Sequence, residues 1–158
     1  MKRLLLTFFL TGVVISFLSS CNNNSVFDNY KSISVSGWEK NSPVIFNFNI
    51  VNAGQQYDLY LNVRNKTSYK YSNLWLFIEI TEPDGGIFKK DTVEISIAAP
   101  NGEWLGEGFG ELRTRVSMFG RDVTFSQTGV HTIKIQQVMR ENNLKGISDI
   151  GFMVEKTG

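Results

Sequence analysis

From about residue 31 onward, apolar side chains recur at every second position, the spacing of strands that bury one face, and not at every third or fourth. Val44, Phe46, Phe48 and Ile50 alternate with Ile45, Asn47 and Asn49, and Tyr57, Leu59, Leu61 and Val63 alternate with Asp58, Tyr60, Asn62 and Arg64. Ile33 and Val35 alternate with serines. Leu112, Thr114, Val116 and Met118 form an apolar row, which turns Arg113, Arg115 and Ser117 outward. Val123 and Phe125 make a short piece, Ile133 and Ile135 point inward after Gly129, and Ile150, Phe152 and Val154 close the chain. Residues 74–80, Leu-Trp-Leu-Phe-Ile-Glu-Ile, are apolar on both faces, which predicts a central strand covered on both sides, with Trp75 and Phe77 in the core. Pro83-Asp84-Gly85-Gly86 and Pro100-Asn101-Gly102 carry turn chemistry. Only residues 136–143 resemble a helical turn. About eight or nine short strands at this spacing predict an all-β fold, a single antiparallel β-sandwich of immunoglobulin-like or jelly-roll-like form over residues 31–158.

The N-terminus follows different rules. Met1-Lys2-Arg3 is a short positive segment, residues 4–18 are apolar, and Leu18-Ser19-Ser20 leads into Cys21. The apolar run falls short of the roughly 20 residues that span hydrocarbon and ends at small residues, as a signal peptide does. A cysteine directly after that boundary is what lipoprotein processing requires, because its thiol takes the glyceride before cleavage. Residues 1–20 are therefore expected to be a lipoprotein signal peptide and Cys21 the lipidated first residue. Residues 21–30 then form a flexible polar tether. The acyl chains would hold the protein on a membrane at about 0.8 kcal/mol per buried CH₂, leaving the remainder free to be a water-soluble domain. The periplasmic face is the default and the outer surface the alternative.

Composition limits the chemistry further. In 158 residues, 16 Lys+Arg stand against 15 Asp+Glu, so the basic footprint of nucleic-acid binding is missing. One Cys cannot form an internal disulfide, and one Cys with one His cannot complete a four-ligand zinc site. His131 lies in phase with Ile133 and Ile135, the position of a core or rim histidine and not of a triad base. No Gly-x-Ser-x-Gly elbow is present. Asp84, Asp91, Glu94 and Glu103 lie near turns without an evident pairing for glycoside hydrolysis. Gly106-x-Gly108-x-x-Glu111 lacks the third glycine of a dinucleotide fingerprint and is better taken as a connector. Neither an enzymatic activity nor a cofactor or metal is expected.

The remaining candidates are aromatic. Tyr71 and Trp104, with Gly106 and Gly108 in the connector beside Trp104, are the expected partner-contact residues. Aromatic faces at loops suit either a partner protein's side chains or the ring of a sugar. Protein partners in the envelope are the leading expectation, and a glycan bound by Tyr71 and Trp104 in a carbohydrate-uptake system is the alternative.

Several stretches carry a family resemblance: Tyr71-Ser72-Asn73-Leu74-Trp75-Leu76-Phe77-Ile78, Pro83-Asp84-Gly85, Asp91-Thr92-Val93-Glu94, Gly102-Glu103-Trp104-Leu105-Gly106-Glu107-Gly108, Gln137-Val138-Met139-Arg140 and Gly146-Ile147-Ser148-Asp149-Ile150-Gly151, closing with Val154-Glu155-Lys156. Together with the segment around Cys21, they resemble the gliding-motility lipoprotein GldH family of the Bacteroidetes. The resemblance implies an envelope lipoprotein associated with gliding motility and the linked type IX secretion apparatus, without known enzymatic activity or cofactor. Cys21 is the only functional position it transfers.

Overall fold

The structure, a computed structural model, describes residues 24–157; the expected signal peptide and Cys21 lie outside the described residues. Ten strands run in chain order: β1 (Ser25–Ser32), β2 (Trp38–Glu39), β3 (Val44–Ile50), β4 (Gln56–Lys66), β5 (Asn73–Thr81), β6 (Ile87–Ser96), β7 (Leu112–Thr124), β8 (Gly129–Gln137), β9 (Asn143–Leu144) and β10 (Ile147–Lys156). No helix occurs among the described residues, so the expected helical turn at residues 136–143 is corrected. Gln137 explains why. Its buried side chain donates to the carbonyls of Trp38 (3.3 Å) and Glu141 (3.0 Å) and accepts from the Met139 amide (2.9 Å), which ties the loop after β8 into a non-helical path.

The long strands pair as nested couples, first with last: β1 with β10, β3 with β8, β4 with β7 and β5 with β6, all antiparallel. The chain is one long hairpin with its tip at residues 82–86. Rolling that hairpin drops successive couples alternately into two sheets, β1-β10-β4-β7 and β3-β8-β5-β6, with the small β2-β9 pair between the first two couples. This is the jelly-roll member of the two expected sandwiches.

Between the sheets lies one hydrophobic cluster. β3 shows strict alternation, with Val44, Phe46, Phe48 and Ile50 buried, and β4 buries Tyr57, Leu59, Leu61 and Val63. Phe48 is central: its ring lies 5.1 Å from Phe152, 5.7 Å from Phe125 and 5.5 Å from His131 between ring centres.

Four expectations about strand faces and bounds are corrected. Residues 25–30, expected as tether, belong to β1 and pair with β10 along its length. Tyr30 locks this pairing, since its ring covers Gly151 on β10 and carries the Arg64 guanidinium 4.2 Å above it. Ile33 and Val35 form no strand; Val35, 94% exposed, sits in the loop after β1. On β5, Leu74, Leu76, Ile78 and Ile80 take the buried side, so Trp75 points outward and is 38% exposed. On β7 the faces are reversed. Its register opposite β4 sets Ser117 against Leu61, Arg115 against Val63 and Arg113 against Asn65, so the arginines share the inner side while Leu112, Val116 and Met118 are exposed. Inward charges on an edge strand discourage unwanted pairing, and long arginine stems can pack while their heads reach polar groups.

Strand directions sort the loops into two ends. Asn24, Thr157 and the turns at residues 51–55, 82–86 and 125–128 share one end; residues 67–72, 97–111 and 138–146 share the other. Phe48→Ala should cost about 3–5 kcal/mol by denaturant unfolding, because four aromatic neighbours lose their common partner. Val51→Ser, on an exposed turn, should stay within about 0.5 kcal/mol of the parent.

Candidate contact site

Residues 97–111 bridge β6 and β7 across the open side of the sandwich, at the end remote from Asn24. The amide of Gly102 donates to Ala99 (2.8 Å) and that of Ala99 to Glu103 (2.8 Å), a tight turn with Pro100 at its first corner. Leu105 then donates to Ile97 (2.9 Å), and Ala98 bridges Trp104, so the first half of the connector is a miniature hairpin. The second half joins β7: Glu107 and Thr114 exchange amide hydrogen bonds of 3.0 and 2.7 Å. That exchange covers the free edge of β7 where it starts.

Gly106 and Gly108 make this approach feasible. A Cβ on Gly106 would lie 3.0 Å from the carbonyl carbon and oxygen of Thr114, and one on Gly108 would strike the carbonyl oxygen of Leu112. Trp104 is half-buried and packs on the core cluster. These three residues, expected as contact residues, frame the connector: Trp104 packs inward, and the two glycines admit the backbone of β7. What the frame presents is Phe109, 100% exposed, with Leu105 and Leu112 also exposed. Phe109 was not among the residues that the sequence pattern singled out. The usable signal was its flanking glycines, Gly108 and Gly110, which give the ring no adjacent side chain to pack on.

Tyr71, together with Asn73, Trp75, Val138, Met139 and Arg140, lines an open cavity of about 420 Å³. The carbonyl of its neighbour Ser72 accepts from the amides of Ile97 (2.8 Å) and Ala98 (3.0 Å) at the root of the connector. The Tyr71 hydroxyl donates to Glu141 Oε1 at 2.6 Å, and that hydrogen bond, followed by desolvation, raises the pKa of its phenol. Tyr69 stacks edge-on at 5.7 Å and donates to the Asn73 carbonyl at 2.8 Å; burial pushes its phenol far up.

The groups considered for catalysis are dispersed. His131 is fully buried between Phe48 and Phe125, with Nδ1 3.1 Å from the Gly129 carbonyl and Nε2 without a protein partner. Asp84 is held by Gln127 (2.7 Å) and the Gly86 amide (2.8 Å), which lower its pKa. Asp91 faces Lys89 at 3.7 Å, and Glu94 accepts from Asn73 at 2.7 Å. Among the described residues no group of three or more His, Cys, Asp or Glu side chains is placed to hold a metal ion.

Residues 25–154 match the family described as GldH lipoprotein. This chain belongs to that family. The chain is 40% identical over 150 residues to the gliding motility lipoprotein GldH homolog of Christiangramia forsetii, covering 90% of this chain and 91% of that protein. It is 35% identical over 146 residues to gliding motility lipoprotein GldH of Flavobacterium johnsoniae, covering 88% and 89%. GldH proteins are lipid-anchored envelope proteins associated with gliding motility, and the family is not a known enzyme family. Among solved structures, the infectious bursal disease virus VP2 subviral particle is similar at a TM-score of 0.36 and 12% identity, over 82% of this chain and 30% of that one. Dimeric latent PorU from Porphyromonas gingivalis gives 0.35 and 7%, over 88% and 14%.

Two outcomes follow from this geometry. Gly106→Val should destabilise by about 1–3 kcal/mol through overpacking against Thr114, whereas Phe109→Ser should change stability by no more than about 0.5 kcal/mol; thermal unfolding of both variants separates frame from presented surface. The fold favours neutral Tyr69, so its contribution is complete while both states are protonated. It declines once pH rises past about 10, where the unfolded chain ionises and the folded one does not. Denaturant midpoints across that range should fall less steeply in Tyr69→Phe, which also loses about 1 kcal/mol at neutral pH with its hydrogen bond to Asn73.

Proposed function

We propose that this protein is an accessory lipoprotein of the envelope machinery for gliding motility and the linked type IX secretion apparatus. It is non-enzymatic and acts by contact with other envelope proteins. Lipid on Cys21 confines it to a membrane, on the periplasmic face, and the 97–111 connector supplies recognition. The observation that carries the contact reading is Phe109, a fully exposed aromatic on a connector hydrogen-bonded to β7 on one side and hairpinned to Ile97 on the other. An exposed aromatic gives a large contact area with only two side-chain torsions to order, the property of interface anchors. Family membership supplies the setting, through relatives whose names carry gliding motility.

One observation favours a second reading, glycan binding. The outward Trp75 shares its cavity with Tyr71, Asn73 and Arg140, an aromatic face flanked by polar groups. Quenching of tryptophan emission by a cell-wall or host glycan, lost in Trp75→Ala, would establish it; an unchanged spectrum across a glycan panel removes it.

For the leading reading, in-cell crosslinking of tagged protein followed by purification and mass spectrometry should recover motility and secretion envelope proteins. The set should disappear in Cys21→Ala, which should also lose acyl labelling, and shrink in Phe109→Ser without loss of folded protein. Recovery of the same set from all three, or of glycan-uptake proteins alone, would overturn it.

A further inference from the structure

We propose that the sandwich stands on the bilayer by the end that carries its turn at residues 82–86, so that phospholipid headgroups cover Val51 and Ile87 while the 97–111 connector faces away from the membrane. This rests on the reading that Cys21 carries the lipid.

The first support is chain length. The Asn24 carbonyl accepts the Lys156 amide at 2.9 Å, and from Ser25 to Ser32 the chain is paired with β10. Only Asn22 and Asn23 separate Cys21 from that fixed frame. Three Cα steps reach about 11 Å at full extension. An anchor that close holds the corner of the domain against the membrane surface, where a ten-residue tether would leave it free to turn.

Which surface then meets the headgroups is decided by chemistry. The 51–55 turn is Val-Asn-Ala-Gly-Gln, and residues 126–128 are Ser-Gln-Thr; neither is charged. The two carboxylates of the 82–86 turn are engaged within the protein, Glu82 by the Ser126 hydroxyl and Gln127 and Asp84 by Gln127. Val51 (66% exposed), Ile87 (58%) and Val130 (56%) are gathered at this end, single apolar side chains among hydrogen-bonding groups, with Asp84, Asp122 and Lys156 as the exposed charges near them. That mixture suits the headgroup boundary, which accepts apolar side chains beside hydrogen-bonding groups and resists unpaired charge. The broad faces are less suited. The outer side of the β1-β10-β4-β7 sheet presents Asp28, Asp58, Asp149, Arg64 and Glu155, and that of the other sheet presents Glu79, Lys90, Glu94 and Lys134.

The opposite end follows from the strands. β10 has ten residues, a span of about 33 Å at the usual rise. The connector leaves from β6 and β7, the sheet edges away from β1 and β3, and so lies diagonally across the domain from the anchor.

The test uses the full-length lipidated protein in phosphatidylcholine vesicles containing a nitroxide-headgroup lipid. Its lipidated Cys21 thiol is blocked, so single cysteines introduced as Val51→Cys, Ile87→Cys, Val35→Cys and Phe109→Cys take a fluorophore selectively. Emission should be lost at positions 51 and 87 and retained at 35 and 109. Equal quenching at all four positions in protein that floats with the vesicles overturns the orientation. Quenching at 35 together with 51 means that the domain lies on its β1 edge, which also overturns it. Protein that does not float at all overturns the lipid-anchor reading, and the orientation with it.

Discussion

Pairing the first strand with the last is the constraint from which the other features of this domain follow. Once Ser25 faces Glu155 and Ser32 faces Asp149, every later couple must nest inside that one, and the strands inherit their direction, sheet and inner face from it. Nesting brings both ends of the described chain and the hairpin tip to one end, and the long β6–β7 connector to the other. It also makes folding strongly non-local, because the couple that seats β1 joins residues from opposite ends of the sequence. Phe27 on β1 then enters the aromatic slab with Phe46, Phe48 and Phe152, so the outermost couple is held by ring packing as well as by its ladder.

The sheet edges show how such a fold avoids pairing with its neighbours. β7 is an edge whose outward row is apolar, a hazard for aggregation. Its start is covered by Glu107, and its inner row carries Arg113 and Arg115, whose heads reach the carbonyls of Gly110, Leu112 and Leu105. The same arginines fasten the connector. Edge protection and the presentation of Phe109 are thus one construction, in which Gly106 and Gly108 let the connector backbone approach β7.

Strands with one clear apolar face were legible in the sequence: β3, β4 and the end of β10 show the alternation that their residues imply. Failures came where a neighbour decides the face. β7 takes its face from the register with β4, which outweighs the pull of Leu112, Val116 and Met118, and a single strand's pattern does not contain that register. β5 has apolar residues on both sides, so nothing local says that Leu74 turns in and Trp75 out. β1 was hidden because Asp28, Asn29 and Lys31 dilute its short apolar row and its partner is the end of the chain. At the candidate site, composition marked Trp104, Gly106 and Gly108 but could not separate residues that hold the connector from the one it displays. That distinction lives in distances to Thr114 and Leu112.

The size of the presented patch bears on how it works. Phe109, Leu105 and Leu112 are far less than the roughly 800 Å² per partner of a stable interface, so such a patch on a freely diffusing protein would bind weakly. Confinement to a membrane changes the requirement. A partner in the same membrane meets the patch at an effective concentration set by the anchor and the dimensions of the domain, so a few side chains suffice for a contact that would be negligible in solution. On the proposed anchoring at Cys21, only Asn22 and Asn23 precede Asn24, and so short a link would strengthen this effect by limiting the heights and directions that the patch samples. On that proposal, fixing β1 to β10 up to Asn24 would serve recognition as well as stability.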